Sequence, residues 1–115
     1  MPQEPLTIDD CTNGSTGFRV LRLTGPILIS NLFDFQTRIR TNTARSLILD
    51  MTGVPYIDSA GIGALVGAYV NHQKDGRTLA LVGASDRIRN SLKVTHVDNF
   101  FRYFDTVSAA EQGSN

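Results

Sequence analysis

The chain has 115 residues, 41% of them hydrophobic, enough to bury one core and too few for two ordinary domains. Its eleven Lys and Arg residues balance eleven Asp and Glu residues, so no net field draws it towards nucleic acid or an anionic membrane. A single cysteine, Cys11, rules out a disulfide within these residues and a cysteine-based zinc framework, and fits a reducing compartment.

Residues 1–5, Met1-Pro2-Gln3-Glu4-Pro5, have neither the basic nor the apolar segment of a signal peptide. No apolar stretch approaches membrane-spanning length, so a soluble, cytoplasmic protein is expected. Residues 6–8 and 18–23 are strand-like, and Asn13-Gly14 between them is a strong turn signal, which predicts a hairpin. After Gly25-Pro26, residues 31–41 place Leu32, Phe35, Gln36 and Ile39 near helical spacing, with Ser30 or Asn31 as the cap. Residues 46–51 carry a continuous apolar run, the pattern of a central strand covered on both faces.

Further along, Ile62, Leu65, Val66, Tyr69 and Val70 recur at helical spacing, predicting a helix to about residue 73 with those side chains as its buried face. The small residues Gly63, Ala64, Gly67 and Ala68 would allow close packing on another side. Lys74-Asp75-Gly76-Arg77 ends that helix. Residues 78–82 read as a second buried strand, and Ser85 or Asp86 caps a helix bearing Ile88, Leu92 and Val94. A last strand over 100–104 and a short helix over 106–111 complete the order β-β-α-β-α-β-α-β-α. That order predicts a single α/β domain over residues 6–111 with a mixed β-sheet and helices packed mainly on one face. The flanks, 1–5 and 112–115, are expected to be flexible.

The segment most suggestive of function is Asp58-Ser59-Ala60-Gly61-Ile62-Gly63, which follows Leu47-Ile48-Leu49 and opens a helix. A serine there sits among free backbone N–H groups at the positive end of the helix dipole, where a phosphate is carried at low cost. The plainer reading of Asp58-Ser59 is an N-cap, and an exposed capping hydroxyl also remains available to a kinase. Gly61-Ile62-Gly63 lacks the rest of either a P-loop or a dinucleotide fingerprint, so close backbone approach explains the glycines better.

Asp58, Ser59, His72 and His96 supply the residue types of a hydrolase triad. His72, however, lies thirteen residues beyond Ser59 on the same predicted helix, roughly 20 Å away. His96 could join only through tertiary proximity. Cys11, His72 and His96 show no metal-ligand spacing, and no cofactor is implied. Alternation within Phe100-Phe101-Arg102-Tyr103-Phe104 points to core packing rather than base stacking.

Leu47-Ile48-Leu49-Asp50-Met51 followed by Val54-Pro55-Tyr56-Ile57-Asp58-Ser59-Ala60-Gly61-Ile62-Gly63-Ala64-Leu65 resembles the signature of STAS domains, especially the bacterial anti-sigma factor antagonists. The resemblance implies a binding switch that is not an enzyme. Its serine, here Ser59, is phosphorylated by an anti-sigma factor with serine kinase activity. The unmodified form binds that factor and frees a sigma factor; phosphorylation breaks the complex, and a phosphatase restores it. The implied partner surface comprises Leu28, Ile29, Ser30, Tyr56, Asp58, Ser59, Gly61 and Ile62. Relatives commonly have an acidic segment where this chain has Gly25-Pro26-Ile27-Leu28, and Ala60 leaves Ser59 as the only hydroxyl acceptor in the motif. A second reading is a STAS scaffold subunit of a sensory assembly or of a lipid-trafficking ABC transporter.

Overall fold

A five-stranded sheet, described here from a computed structural model, runs in spatial order from the first strand to the last. The structure describes residues 5–12 and 17–113. Strand β1 (Thr7–Asp10) pairs antiparallel with β2 (Phe18–Thr24), Ile8 opposite Leu23. The Asn13-Gly14 turn expected between them lies outside the described residues. Helix α1 (Leu32–Arg40) then leads to β3 (Ser46–Gly53), α2 (Ser59–Lys74) to β4 (Thr78–Val82), and α3 (Asp86–Val94) to β5 (Arg102–Phe104). Strands β2 to β5 are parallel neighbours, so each connection must cross over, and a helix does so each time. Helix α4 (Val107–Gly113) closes the chain. The expected element order and mixed sheet are therefore observed.

The apolar run in β3 is buried on both faces because side chains alternate across the sheet. Leu47, Leu49 and Met51 join Leu21, Leu23, Leu79 and Leu81 beneath α1, α2 and α3, with Phe35, Leu65, Ile88 and Leu92 packed from the helices. Ile48 faces the other way with Val20, Ala80 and Val82, where Ala110 of α4 covers them. Three helices thus share one face and the short α4 takes the other. No helix among the described residues is long and apolar enough to cross a membrane.

Four local expectations change. The deeply buried residues of α2 are Gly61, Leu65, Ala68 and His72, while Val70 is exposed and Ile62, Val66 and Tyr69 are half-buried. The helix lies so close to the sheet that small residues and a satisfied histidine, not the bulkiest side chains, fit its inner face. Val94 is exposed at the end of α3. Asn31 occupies the N-cap position of α1 without a side-chain cap bond, because its amide is spent on its own loop. The predicted strand over 100–104 shrinks to three residues: Phe100 belongs to a 3-10 turn, Asp98–Phe100, and stacks on Tyr69 at 5.2 Å between ring centroids.

His72 forms a buried polar lock far along α2 from Ser59. Its Nδ1 is 2.8 Å from the carbonyl oxygen of Ala68, which can only accept, so Nδ1 carries the proton. Nε2 must then accept from the Asn42 amide at 3.0 Å, and that amide is oriented by the backbone N–H of Ala44 donating to its oxygen. A proton on Nε2 would face an amide N–H, and burial pushes the His72 pKa below its usual value. The unfolded chain binds that proton more readily, so this contribution to stability is complete above about pH 6.5 and is lost as pH falls below it. Urea unfolding midpoints measured from pH 8 to pH 5 should decline below pH 6.5, with the decline flattened in His72→Gln. An identical decline in that variant would show that another group governs it.

Candidate functional site

Parallel strands β2, β3 and β4 end at one edge of the sheet, so the segments leaving them converge there. This carboxyl edge is where open α/β sheets commonly bind ligands and partners. Gly25 turns the chain out of β2 at a positive φ of 109°, with its N–H donating to the Gly53 carbonyl at 2.9 Å. The two loops then keep pairing beyond their strands. The N–H of Ile27 donates to Tyr56, that of Asp58 donates to Ile27, and Ile27 and Ile57 form an isolated parallel bridge.

Asp58 joins this paired stretch to two helical starts. Its Oδ1 accepts from the backbone N–H of Gly61 at 2.8 Å, capping α2, and its Oδ2 accepts from the N–H of Ile29 at 3.0 Å. Ile29 opens a 3-10 turn, Ile29–Asn31, that runs into α1. The Asn31 side chain secures the same loop, accepting from Leu28 N–H at 3.0 Å and donating to Pro26 at 2.9 Å. Gly61 is buried beneath the motif: an added Cβ would come within 2.5 Å of both the Ile27 carbonyl oxygen and Ile57. Close backbone approach therefore explains Gly61, which shapes the surface from below. Gly63 has no such role, since a Cβ there, as at Gly67, would meet nothing within 4 Å.

Ser59 is the first residue of α2 and is exposed. Around it Ile29 and Ser30 are exposed, while Leu28, Tyr56, Asp58 and Ile62 are half-buried. Seven of the eight residues named from the sequence thus reach the surface at this edge. Two further exposed residues escaped sequence reading. Phe33 is 79% exposed, against 76% for Ile29, and lies four residues after it. Its position off the stripe of Leu32, Phe35 and Ile39 was the signal that could have revealed it. Arg87, in the first turn of α3, holds its guanidinium 5.1 Å from the centre of the Tyr56 ring; nothing local in the sequence announces that contact.

The triad residues do not assemble. Both ring nitrogens of His72 are engaged within the buried lock, and His96 follows α3, which starts at the Ser59 edge and ends at the opposite one. Among the described residues, no group of three or more His, Cys, Asp and Glu side chains is gathered to hold a metal. The chemistry on offer is that of an accessible hydroxyl on a hydrogen-bonded helix start, with Ile29 and Ser30 exposed beside it.

The double role of Asp58 has a measurable cost of removal. Asp58→Ala leaves the N–H groups of Gly61 and Ile29 without their acceptor and should lower unfolding free energy by about 2 kcal/mol, read from urea denaturation. Asp58→Asn keeps one acceptor oxygen and should cost less. Gly61→Ala should cost about 1–3 kcal/mol by displacing α2 from Ile27 and Ile57.

Comparison with known proteins agrees with this architecture. The STAS domain family matches residues 11–110. The anti-sigma-B factor antagonist of Listeria monocytogenes is 32% identical over 69 residues, a match covering 60% of this chain and 60% of that protein. An anti-sigma factor antagonist from Mycobacterium paratuberculosis superposes with a TM-score of 0.79 at 18% identity, covering 97% of this chain and 94% of the other. A sulfate transporter family protein from Wolinella succinogenes gives 0.71 at 27% identity, covering 91% and 93% respectively. With the family matched over nearly the whole described domain and the fold shared with these structures, the chain belongs to the STAS domain family.

Proposed function

We propose that this chain is an anti-sigma factor antagonist: a binding switch rather than an enzyme, acting in the bacterial cytoplasm and controlled at Ser59. The observation that carries the reading is an exposed hydroxyl at the first residue of α2, beside the exposed Ile29, whose N–H bonds to Asp58, with Phe33 exposed four residues after Ile29. The antagonist names of its relatives support the general role. In its unmodified form the surface around Ile29, Phe33, Tyr56 and Ser59 docks on an anti-sigma factor that is also a serine kinase. Docking displaces the sigma factor.

In the modifying step the Ser59 Oγ attacks the γ-phosphorus of ATP, ADP leaves, and the hydroxyl proton passes to a base of the kinase. A phosphatase reverses the modification by hydrolysis. The added charge, about −1.5 to −2 at neutral pH, sits where the α2 N–H groups favour it, so the free domain tolerates it. Against a partner surface fitted to a neutral hydroxyl, the same charge would have to be desolvated at a cost of several kcal/mol. Binding then fails while the fold persists.

The likeness to a sulfate transporter family protein supports a second reading, a STAS scaffold within a larger assembly. The two differ in what co-purifies. A serine kinase released by ATP supports the switch, whereas transporter or sensory subunits held regardless of ATP support the scaffold.

Intact mass after incubation with candidate kinases and ATP should show one phosphate on the parent chain and none on Ser59→Ala. A phosphate retained by Ser59→Ala would move the site elsewhere. Ser59→Asp should bind the kinase more weakly than the parent, and Ser59→Ala should bind persistently in the presence of ATP. Phe33→Ala should weaken binding about tenfold or more without lowering the unfolding midpoint, because an exposed aromatic contributes to docking and little to the core. Unchanged affinity would remove Phe33 from the partner surface.

A further inference from the structure

Among the described residues three guanidinium groups rest on aromatic rings, Arg89 on Tyr103, Arg102 on Phe104 and Arg87 on Tyr56, and of these Arg87 is the one that meets the Ser59 motif. The ion pairs among the described residues use Arg19, Arg22, Arg38 and Arg77, and Arg87 belongs to none of them. Its guanidinium rests on the face of Tyr56, three residues before Ser59. Adjacency of β3 and β4 puts the start of α3, which carries Arg87, beside the start of α2, which carries Ser59. The exposed side chain is therefore held at the motif by a weak contact, with its fork of N–H donors uncommitted to any carboxylate.

We propose that Arg87 is an internal phosphate clamp, which leaves the Tyr56 ring to pair with phosphoserine at position 59. The inference rests on reading Ser59 as a phosphorylation site. A guanidinium pairs with phosphate through two parallel N–H···O bonds, a stronger contact than a solvent-exposed cation–π stack. Modification thus changes the surface twice: it adds charge at Ser59 and strips the cation from Tyr56. A partner fitted to the Arg87-covered ring meets an altered aromatic face as well as a new anion.

The other charged groups at the starts of the neighbouring helices are Asp58 capping α2, Asp86 next to Arg87 on α3, and Asp34 on α1, which pairs with Arg38 at 3.5 Å. Carboxylates oppose the phosphate dianion and a guanidinium favours it, so the clamp can be read from the phosphate itself. Phosphoserine is incorporated at position 59 during synthesis, and its phosphorus resonance is titrated in the full chain, in Arg87→Gln and in Arg87→Lys. Arg87→Gln should raise the second phosphate pKa by about half a unit or more, with Arg87→Lys between it and the parent. Arg89→Gln, whose side chain stacks on Tyr103 at 4.6 Å, serves as a control and should leave the titration unchanged. Tyr56 ring resonances should shift on phosphorylation in the parent and not in Arg87→Gln. Coincident titrations of the parent and Arg87→Gln, or a Tyr56 ring indifferent to phosphate, would overturn the clamp. Neither readout requires a partner. Equal partner affinity with and without phosphate, beside an intact clamp signature, would instead refute the switch reading of Ser59.

Discussion

The Ser59 edge depends on the short stretch where the chain leaving β2 and the chain leaving β3 continue side by side past the ends of their strands. The Ile27–Ile57 bridge and the flanking hydrogen bonds to Tyr56 and Asp58 bring two backbones together at a place where loops usually part. Only a residue without a Cβ fits above them, and Gly61 is that residue. Asp58 then ties both helical starts to the paired stretch through one carboxylate. Ser59 is fixed in space because everything immediately beneath it is hydrogen-bonded or packed.

That rigidity bears on how a chemical change at Ser59 can act. The carboxylate of Asp58 is already occupied by backbone donors, and the hydroxyl lies outside the core, so a phosphate need not displace a structural contact to be accommodated. The response expected of such a site is a change of surface rather than of fold. Ile29, tied to Asp58 through its N–H, is strongly exposed at the same edge, and Phe33 is equally exposed four residues further along. Exposed apolar surface beside a modifiable hydroxyl favours a partner that buries both. At the other end of α2, the His72–Asn42 lock fixes the helix to the segment after α1, so α2 is anchored at both ends.

Much of this was legible from the residues alone because the signals were local and of strong period. The apolar run of β3, the alternation of strand and helix, and the capped start at Asp58-Ser59 all carry their explanation within a few positions. The inner face of α2 was misread because hydrophobicity is a poor guide when a helix packs tightly: Gly61, Ala68 and His72 go inside while Val70 stays out. The 3-10 turn before β5 depends on Phe100 meeting Tyr69 across the fold, which no sequence window contains. Arg87 escaped for the same reason, as its partner Tyr56 is thirty-one positions earlier and joined to it only by strand adjacency. Phe33 was the avoidable omission, since its place off the buried stripe of α1 is visible in the sequence.

The central claim is that a phosphate at Ser59 abolishes a binding surface without undoing the domain that presents it. Calorimetric titration of the unmodified and phosphoserine-59 forms against the same cognate anti-sigma kinase, paired with thermal melts of both free forms, tests it most directly. The account predicts at least a hundredfold loss of affinity, about 2.7 kcal/mol, with melting temperatures that nearly coincide. Equal affinities would contradict it, as would a loss of affinity accompanied by unfolding of the phosphorylated chain.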